Sequence, residues 1–241
     1  MRTDAILITH AHGDHINRTT YELSYEGRIP LYCNRTTWEV AKSKRPILKR
    51  LEMVRPKLLH FFKLEGFRVG DLSIRPFRVS HKGHRQHTGS GVKDHAGSPV
   101  GFVITHKHRG RTYGVGYATD LGHAPNRVID NLIGTDVVVI EANHNVRKVH
   151  EVGLPHRFWI LSKWGHLSND AAGRAVVEVA RRRSERSRLL RVVLAHISRT
   201  HNSGEMAKSE IGRIVRDNGI RLAGLHLTYQ DRRSTVIEVD R

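Results

Sequence analysis

Thr9-His10-Ala11-His12-Gly13-Asp14-His15 follows directly on the apolar run Ala5-Ile6-Leu7-Ile8, and no other stretch of the chain restricts the fold as much. The run is short, β-branched and closed by polar residues and glycine, which predicts a buried strand. A strand that feeds a histidine-rich loop puts His10 and His12 on one side while extended geometry lasts, because side chains alternate with a period of two. Gly13 then lets the backbone turn and aims Asp14 and His15 at a neighbouring point. The pattern offers two imidazoles to one ion, and a carboxylate with an imidazole to a second. Such donors suit zinc or manganese, and paired ions suit hydrolysis of phosphate esters. The alternative is a solvated loop in a chain that carries 18 histidines. The strand-then-loop context favours the ligand reading.

A chain of 241 residues buries a sizeable core, as one large domain or two small ones. The balance of 41 Lys and Arg against 23 Asp and Glu gives a net charge of +18. A charge that far from zero repels itself unless a polyanion shares the surface, so nucleic acid is the leading partner, with a generally basic proteome as the other explanation. Cys33 is the single cysteine, which excludes an intramolecular disulfide and a cysteine-based zinc site. No apolar run approaches the ~18 residues of a membrane span, and no leader precedes the first strand. The expectation is no membrane and a cytoplasmic location.

Along the chain, Asn17 to Leu23 reads as a helix with Asn17 as its N-cap. Ile29 to Cys33 reads as a short strand, and Thr36 to Lys44 as a helix with Trp38 and Val40 among its apolar positions. Arg45 to His60 is basic and irregular, interrupted by Pro46 and Pro56; it is either a surface arm for phosphates or a solvated helix pair. Strands are expected at Leu58 to Leu64, Phe67 to Val69 and Leu72 to Ser80, with a turn at Gly70-Asp71. Lys82 to Gly97, with His84, His87 and His95, lacks apolar periodicity and reads as a mobile loop at the site's rim. Val100 to Ile104 and Thr112 to Ala118 form a hairpin across His106 to Arg111, and Ile129 to Ile133 a helical turn. Val137 to Ile140 is a continuous apolar run, the mark of a strand covered on both faces. Ala171 to Arg186 is a helix capped by Asn169 or Ser168, and Glu205 to Asp217 an amphipathic helix stopped at Gly219. Leu189 to Leu194, Leu222 to Thr228 and Thr235 to Val239 complete the strands. No repeat or low-complexity linker appears, and one α/β domain over 1–241 accounts for the chain.

The first stretch matches the HxHxDH signature and so resembles the metallo-β-lactamase fold. That resemblance implies an α/β protein built as a four-layer αββα sandwich. Strand after strand ends in a potential ligand: His10, His81, Asp120, Glu141, His196. In layered α/β folds such groups converge on one rim. Two divalent ions ~4 Å apart need about seven protein ligands and a bridging water. The available set is His10, His12 and His81 for the first ion, Asp14, His15 and His196 for the second, and Asp120 shared between them.

Further stretches narrow the resemblance. They are Thr119-Asp120-Leu121-Gly122, Glu141-Ala142-Asn143-His144-Asn145, Gly165-His166-Leu167-Ser168-Asn169-Asp170 and Ala195-His196-Ile197-Ser198-Arg199. In this order they look like the YycJ/WalJ-type branch, bacterial proteins described as double-strand DNA 5′-to-3′ exonucleases. A related cyclic phosphodiesterase, PhnP, has a histidine resembling His166 that acts beside the metals. By that similarity His166 is a general acid or a phosphate contact and Glu141 its orienter. His166, Glu141 and Asp14 form the candidate catalytic set, Asp14 doubling as a ligand.

Two departures from the branch stand out. Relatives carry about fifty more residues before the first ligand, forming strands and a glycine-rich turn. This implies an N-terminally shortened fold, and either a misplaced start codon or a partner, a second copy included, over the gap. The insertion Lys82 to Gly97 also separates His81 from a rival third-motif histidine, His95. The reading that follows is a dinuclear Zn²⁺ or Mn²⁺ phosphodiesterase acting on nucleic acid, a DNA exonuclease in particular. The rivals are a small-molecule hydrolase of the same fold, for a cyclic phosphodiester, thioester or lactone, and a basic nucleic-acid-binding protein with a structural metal site.

Overall fold

A computed structural model of the chain describes residues 3–82, 96–152, 157–183 and 189–239. His84, His87 and His95, and with them the choice between His81 and His95, lie outside the described residues. The chain divides into two compact units, Met1–Arg78 with Lys82–Val100 and Val79–His81 with Gly101–Arg241. Among the described residues no helix is long and apolar enough to cross a membrane. The class is mixed α/β, as expected.

In the first unit, strands β1 (Ile6–Leu7), β2 (Leu31–Cys33) and β3 (Leu59–Phe61) form a parallel sheet in that order. Helix α1 (Arg18–Tyr25) begins at Asn17, whose side chain accepts from the Thr20 amide while the Thr20 hydroxyl accepts from the Asn17 amide. This reciprocal cap satisfies two of the amides that a helix start leaves open. Asn34 caps α2 (Arg35–Lys44) by accepting from the Thr37 amide at 2.8 Å.

Of the two readings of Arg45 to His60 the helical one is the nearer, since the stretch forms helix α3 (Ile47–Val54) and a 3₁₀ turn over Pro56–Leu58. Pro46 and Pro56 mark the ends of the helix rather than interrupt it, since proline suits a helix start and bars the preceding residue from continuing one. Leu48 and Leu51, one turn apart on α3, join Ile16, Leu31, Cys33 and Trp38 in a core where all six are fully buried. Burial pushes the Cys33 thiol up, so it packs as a small apolar side chain. Strands β4 (Phe67–Val69) and β5 (Leu72–Arg78) pair antiparallel across Gly70, which takes the left-handed φ of +55° that the turn needs.

In the second unit, β6 (Val100–His108) and β7 (Arg111–Ala118) form an antiparallel hairpin. The connection expected over His106 to Arg111 shortens to Arg109-Gly110, both at positive φ (48° and 77°), the geometry that matches strand twist in a two-residue turn. His106, Lys107 and His108 therefore continue the first strand. Strands β8 (Val137–Glu141), β9 (Arg191–Ala195) and β10 (Gly224–Leu227) follow, and the order β10-β9-β8-β7-β6 is parallel from β7 outward. Thr235 to Val239 is not a strand. Val236 is 84% exposed, and its alternating pattern has no buried face to fill.

The helices of this unit are α4 (Asn126–Leu132), α5 (Val146–Val152), α6 (Arg157–Ile160), α7 (Asn169–Arg181) and α8 (Gly204–Asp217). The segment carrying α5 and α6 has no counterpart in the sequence reading. Ser168 caps α7 by accepting from the Ala171 amide, and Ser203 caps α8 by accepting from the Met206 amide. A Cβ on Gly173 would stand 2.8 Å from Ile214 Cδ1, so α7 and α8 approach as closely as they do because residue 173 has no side chain.

Polar residues after β8 and around the starts of α7 and α8 form a buried to half-buried hydrogen-bond network. Asn169 and Asn202 exchange amide hydrogen bonds at 3.1 and 2.8 Å, Asn202 also donates to the Ala142 carbonyl, and Asn145 and Asn169 donate to Glu210. His144 lies among them, 1% exposed, and burial pushes its pKa down to about 4. Below the ordinary value near 6.5 the unfolded chain takes up a proton at His144 that the folded chain refuses until about pH 4. At about 1.4 kcal/mol per pH unit, close to 3 kcal/mol of stability is present above pH 6.5 and lost as the pH falls to 4. Urea unfolding of chelator-treated protein at pH 7.5 and pH 4 should show that loss in wild type and lack that part of it in His144→Asn. A difference between the two proteins that stays constant with pH would contradict this account of His144.

Candidate metal centre

In the first unit the site begins where β1 ends. Ile6 and Ile8 amides bond to the Pro30 and Tyr32 carbonyls beside them, and beyond Ile8 the chain leaves the sheet. The amides of His15 and Ile16 both return to the His12 carbonyl (3.1 and 3.0 Å), closing a tight turn over Gly13 and Asp14. Three imidazoles meet inside it. His10, fully buried, has Nδ1 3.0 Å from the Thr9 hydroxyl and Nε2 2.9 Å from His12 Nδ1. Its ring centre lies 4.6 Å from that of His12 and 4.1 Å from that of His15. Asp14 is exposed, with Oδ2 3.4 Å from His15 Nε2, and the His15 contact holds its carboxyl well below the usual carboxylate range.

In the second unit the parallel register does the placing. Ala118 pairs with Ile140 and Glu141 with Ala195, so β7, β8 and β9 end side by side. The residues just past those ends, Asp120 and His196, and Glu141 itself therefore share one edge, where ligands of layered α/β sheets bind. Asp120 and His196 both take left-handed backbone angles (φ 56° and 54°), sparsely populated for residues with a Cβ. Hydrogen bonds hold each one there. Leu121 and Gly122 amides bond to Glu141 and to the Ser80 carbonyl after Asp120. Asn143 donates its side-chain amide to the His196 carbonyl at 3.0 Å and accepts the Ser198 amide at 2.9 Å.

Glu141 is fully buried and serves four donors. Oε1 accepts from His166 Nδ1 (2.7 Å) and His196 Nδ1 (2.6 Å), and Oε2 accepts from the amides of Leu121 (2.9 Å) and Leu167 (3.1 Å). Burial alone would favour the neutral acid, but His166 and then His196 outweigh it and hold the carboxyl well below its ordinary range. His81, 3% exposed, gives its Nδ1 proton to the Gly165 carbonyl at 2.9 Å, and burial pushes its pKa down, so the ring is neutral. All three imidazoles thus have Nδ1 committed, which leaves each Nε2 as the working atom. His196 Nε2 and His81 Nε2 lie 3.4 and 4.0 Å from Asp120 Oδ1, and Asp120, Glu141, His166 and His196 offer donor atoms within 4.8 Å of one another.

Each predicted site residue among these is placed in one of two clusters, His10, His12, Asp14 and His15 in the first unit and His81, Asp120, Glu141, His166 and His196 in the second. Imidazole nitrogens with their second nitrogen hydrogen-bonded, beside a carboxylate, are the donor chemistry of zinc and manganese, so the residues present fit such an ion. His166 does not cap α7; Ser168 does. The sequence reading gave no role to Asn143, nor to two glycines. A Cβ on Gly122 would stand 2.3 Å from the Lys163 carbonyl carbon, and one on Gly165 2.1 Å from the Trp159 carbonyl oxygen. The signal was present, since all three residues lie inside or beside the motif stretches, but spacing alone does not tell a ligand from its brace.

Comparison with known proteins places the chain in a family. Two bacterial proteins named exodeoxyribonuclease align over most of the chain. WalJ of Streptococcus pneumoniae is 29% identical over 206 residues, 85% of this chain and 67% of that protein. YycJ of Bacillus anthracis is 24% identical over 216 residues, 89% of this chain and 71% of that protein. Among solved structures, Zn(2+)-bound PqqB from Methylobacterium extorquens superposes with a TM-score of 0.63 at 15% identity, over 97% of this chain and 73% of that one. A diphosphatase from the PhnP family superposes with a TM-score of 0.52 at 22% identity, over 95% and 69%. The model of the beta-lactamase superfamily domain matches residues 1–197, which carry every one of the donors above, and the chain belongs to that superfamily.

Proposed function

We propose that the chain is a metal-dependent hydrolase that cleaves phosphodiesters in nucleic acid, as a DNA exonuclease. The observation that carries the proposal is the set of imidazoles whose Nδ1 atoms are tied to Glu141 and Gly165, leaving Nε2 atoms beside the Asp120 carboxylate. Relatives named exodeoxyribonuclease and the net charge of +18 support a polyanionic substrate over a small one. In the assignment that the family resemblance implies, His10, His12 and His81 hold one Zn²⁺ or Mn²⁺, Asp14, His15 and His196 a second, and Asp120 is shared. Such ions, when bound, supply an acidified water and a Lewis acid for a phosphoryl oxygen.

The remaining steps belong to side chains. His166, protonated at Nε2 as well as at the Nδ1 that Glu141 holds, meets the charge that grows on the phosphoryl group or gives its Nε2 proton to the leaving oxygen. Glu141 keeps both rings in one tautomer and touches no substrate itself, so it is a positioning residue. Lysines and arginines track the phosphate backbone, and hydrolysis should fall steeply as salt rises.

The test is Mn²⁺- or Zn²⁺-dependent release of nucleotides from end-labelled duplex DNA. His12→Ala and Asp120→Ala should each lower turnover at least about 100-fold and leave duplex affinity within a few-fold, since they remove donors rather than the basic surface. Turnover of bis-p-nitrophenyl phosphate with no cleavage of any polynucleotide would instead identify a small-molecule hydrolase. Metal-independent duplex binding without turnover would leave a binding protein.

Glu141→Gln separates positioning from folding. A glutamine offers one acceptor oxygen where Glu141 satisfies donors at both, so at least the two amides or the two imidazoles lose their partner. Loss of such a brace costs about 10- to 100-fold in metal affinity or activity. Competition with a chromophoric chelator and kcat on the same preparation should both show it, with near-native circular dichroism. Unchanged metal affinity and kcat would remove Glu141 from the mechanism.

A further inference from the structure

Arg45 joins the end of α2 to the start of α3, and both helices pin its backbone. Its amide donates to the Ala41 carbonyl at 3.0 Å, and its carbonyl accepts the Leu48 amide at 3.0 Å. From this fixed base the side chain lies back over the histidine loop. Nη1 donates to the Ala11 carbonyl at 3.3 Å, and Nη2 stands 2.8 Å from the point a Cβ on Gly13 would occupy. The guanidinium therefore rests on the backbone between His10 and Asp14, in space that exists because residue 13 is glycine.

The charges around it are arranged differently. Arg18 pairs with Glu22, Lys42 with Glu39 and Glu52, and Arg35 with Glu39 and the Phe61 ring, while Arg50 and Arg55 lie over Tyr25. Arg45 has the Ala11 carbonyl and, among the described residues, no carboxylate within ion-pair distance. A guanidinium carries five N–H donors in a planar fork and no acceptor. Held half-buried beside a loop of metal-type ligands with most donors unspent, it suits a tetrahedral oxyanion, which it can bind by two parallel hydrogen bonds.

We propose that Arg45 is a substrate-binding residue that grips a phosphate of the nucleic-acid backbone beside the His10–His15 loop. The proposal rests on the phosphodiesterase reading for its ligand, so its test measures binding apart from turnover. Fluorescence anisotropy of a labelled DNA duplex with chelator-treated protein, across a salt series, compares wild type with Arg45→Ala, Arg45→Gln and Arg45→Lys. Arg45→Ala and Arg45→Gln should weaken the duplex about 10-fold and lower the slope of log affinity against log salt by about 1. Arg45→Lys should keep the slope and recover part of the affinity. In the metal-loaded protein the same two variants should raise KM for duplex DNA, with metal content and melting temperature as in wild type.

An unchanged salt slope in Arg45→Gln overturns the proposal. So does a loss of metal or of kcat at unchanged duplex affinity, which would make Arg45 a support of the loop. If wild type binds duplex but hydrolyses no phosphodiester, the exonuclease reading fails, and the slope in the variants still decides whether Arg45 meets a phosphate.

Discussion

A carboxylate removed from water needs compensation, and the way Glu141 obtains it organises the second unit. Stripping an anion of its hydration costs several kcal/mol unless charge-assisted hydrogen bonds replace the water. Glu141 finds two imidazoles and two backbone amides, drawn from the turn after β7, the Gly165–Leu167 stretch and the turn after β9. Leu121 and His196 are there because three parallel strands end in register, and His166 and Leu167 reach the same carboxylate from the stretch before α7. The carboxylate thus ties together three loops that the sheet brings close but would not by itself order. The same interaction selects the tautomer of His166 and His196, so what stabilises the loops also prepares the chemistry.

Neighbouring features of that edge follow from the need to keep the loops still. Left-handed backbone at Asp120 and His196 costs on the order of 1–3 kcal/mol each, and persists only where surrounding bonds over-determine it. Asn143 supplies that for His196 by bonding on both sides of the peptide that follows it. Gly122 and Gly165 let other main chain pass within a distance no side chain allows. The Asn169–Asn202 amide pair and Glu210 join the polar groups of the α7 and α8 starts by direct hydrogen bonds. Reciprocal bonds such as those between Asn169 and Asn202 hold both side chains in one arrangement, which stiffens the base of the two helices.

How far the amino-acid sequence revealed this depends on the range of the interaction. Val137–Glu141 and Arg191–Ala195 were legible because continuous β-branched runs have few other uses, α1 because its cap Asn17 sits beside it, and α8 because Ile211, Ile214 and Val215 share one face before Gly219. Helix α3 is one of two readings the sequence leaves open, because two prolines within a basic stretch look like interruption although Leu48 and Leu51 stand one turn apart. The β6–β7 turn was drawn too wide because His106 to His108 are polar, while strand pairing depends on backbone and asks little of side chains at a hairpin end. Thr235 to Val239 shows the reverse error, an alternation with nothing to pair or bury it. Donors in the site were legible as residue types at strand ends. Their braces were not, because Glu141 meets His196 across 55 positions and nothing in local spacing encodes that meeting.

Electrostatics adds one more constraint on the proposed reading. Several helix carboxylates are matched one turn away, as in Arg174 with Asp170 and Arg213 with Asp217, and exposed pairs of this kind are worth little. In the donor clusters the partners of Asp14, Asp120 and Glu141 are imidazoles, which carry a full charge only when protonated. In the proposed reading the surplus of 18 positive charges draws a polyanion toward the protein over a Debye length of about 10 Å, while the carboxylates among the candidate ligands oppose phosphate at contact. Divalent cations held by those donors reverse that local sign. Metal loading and substrate approach are then electrostatically coupled, and a cation fixed in the protein beside the histidine loop, as Arg45 is, contributes to the same reversal without leaving when the metal does.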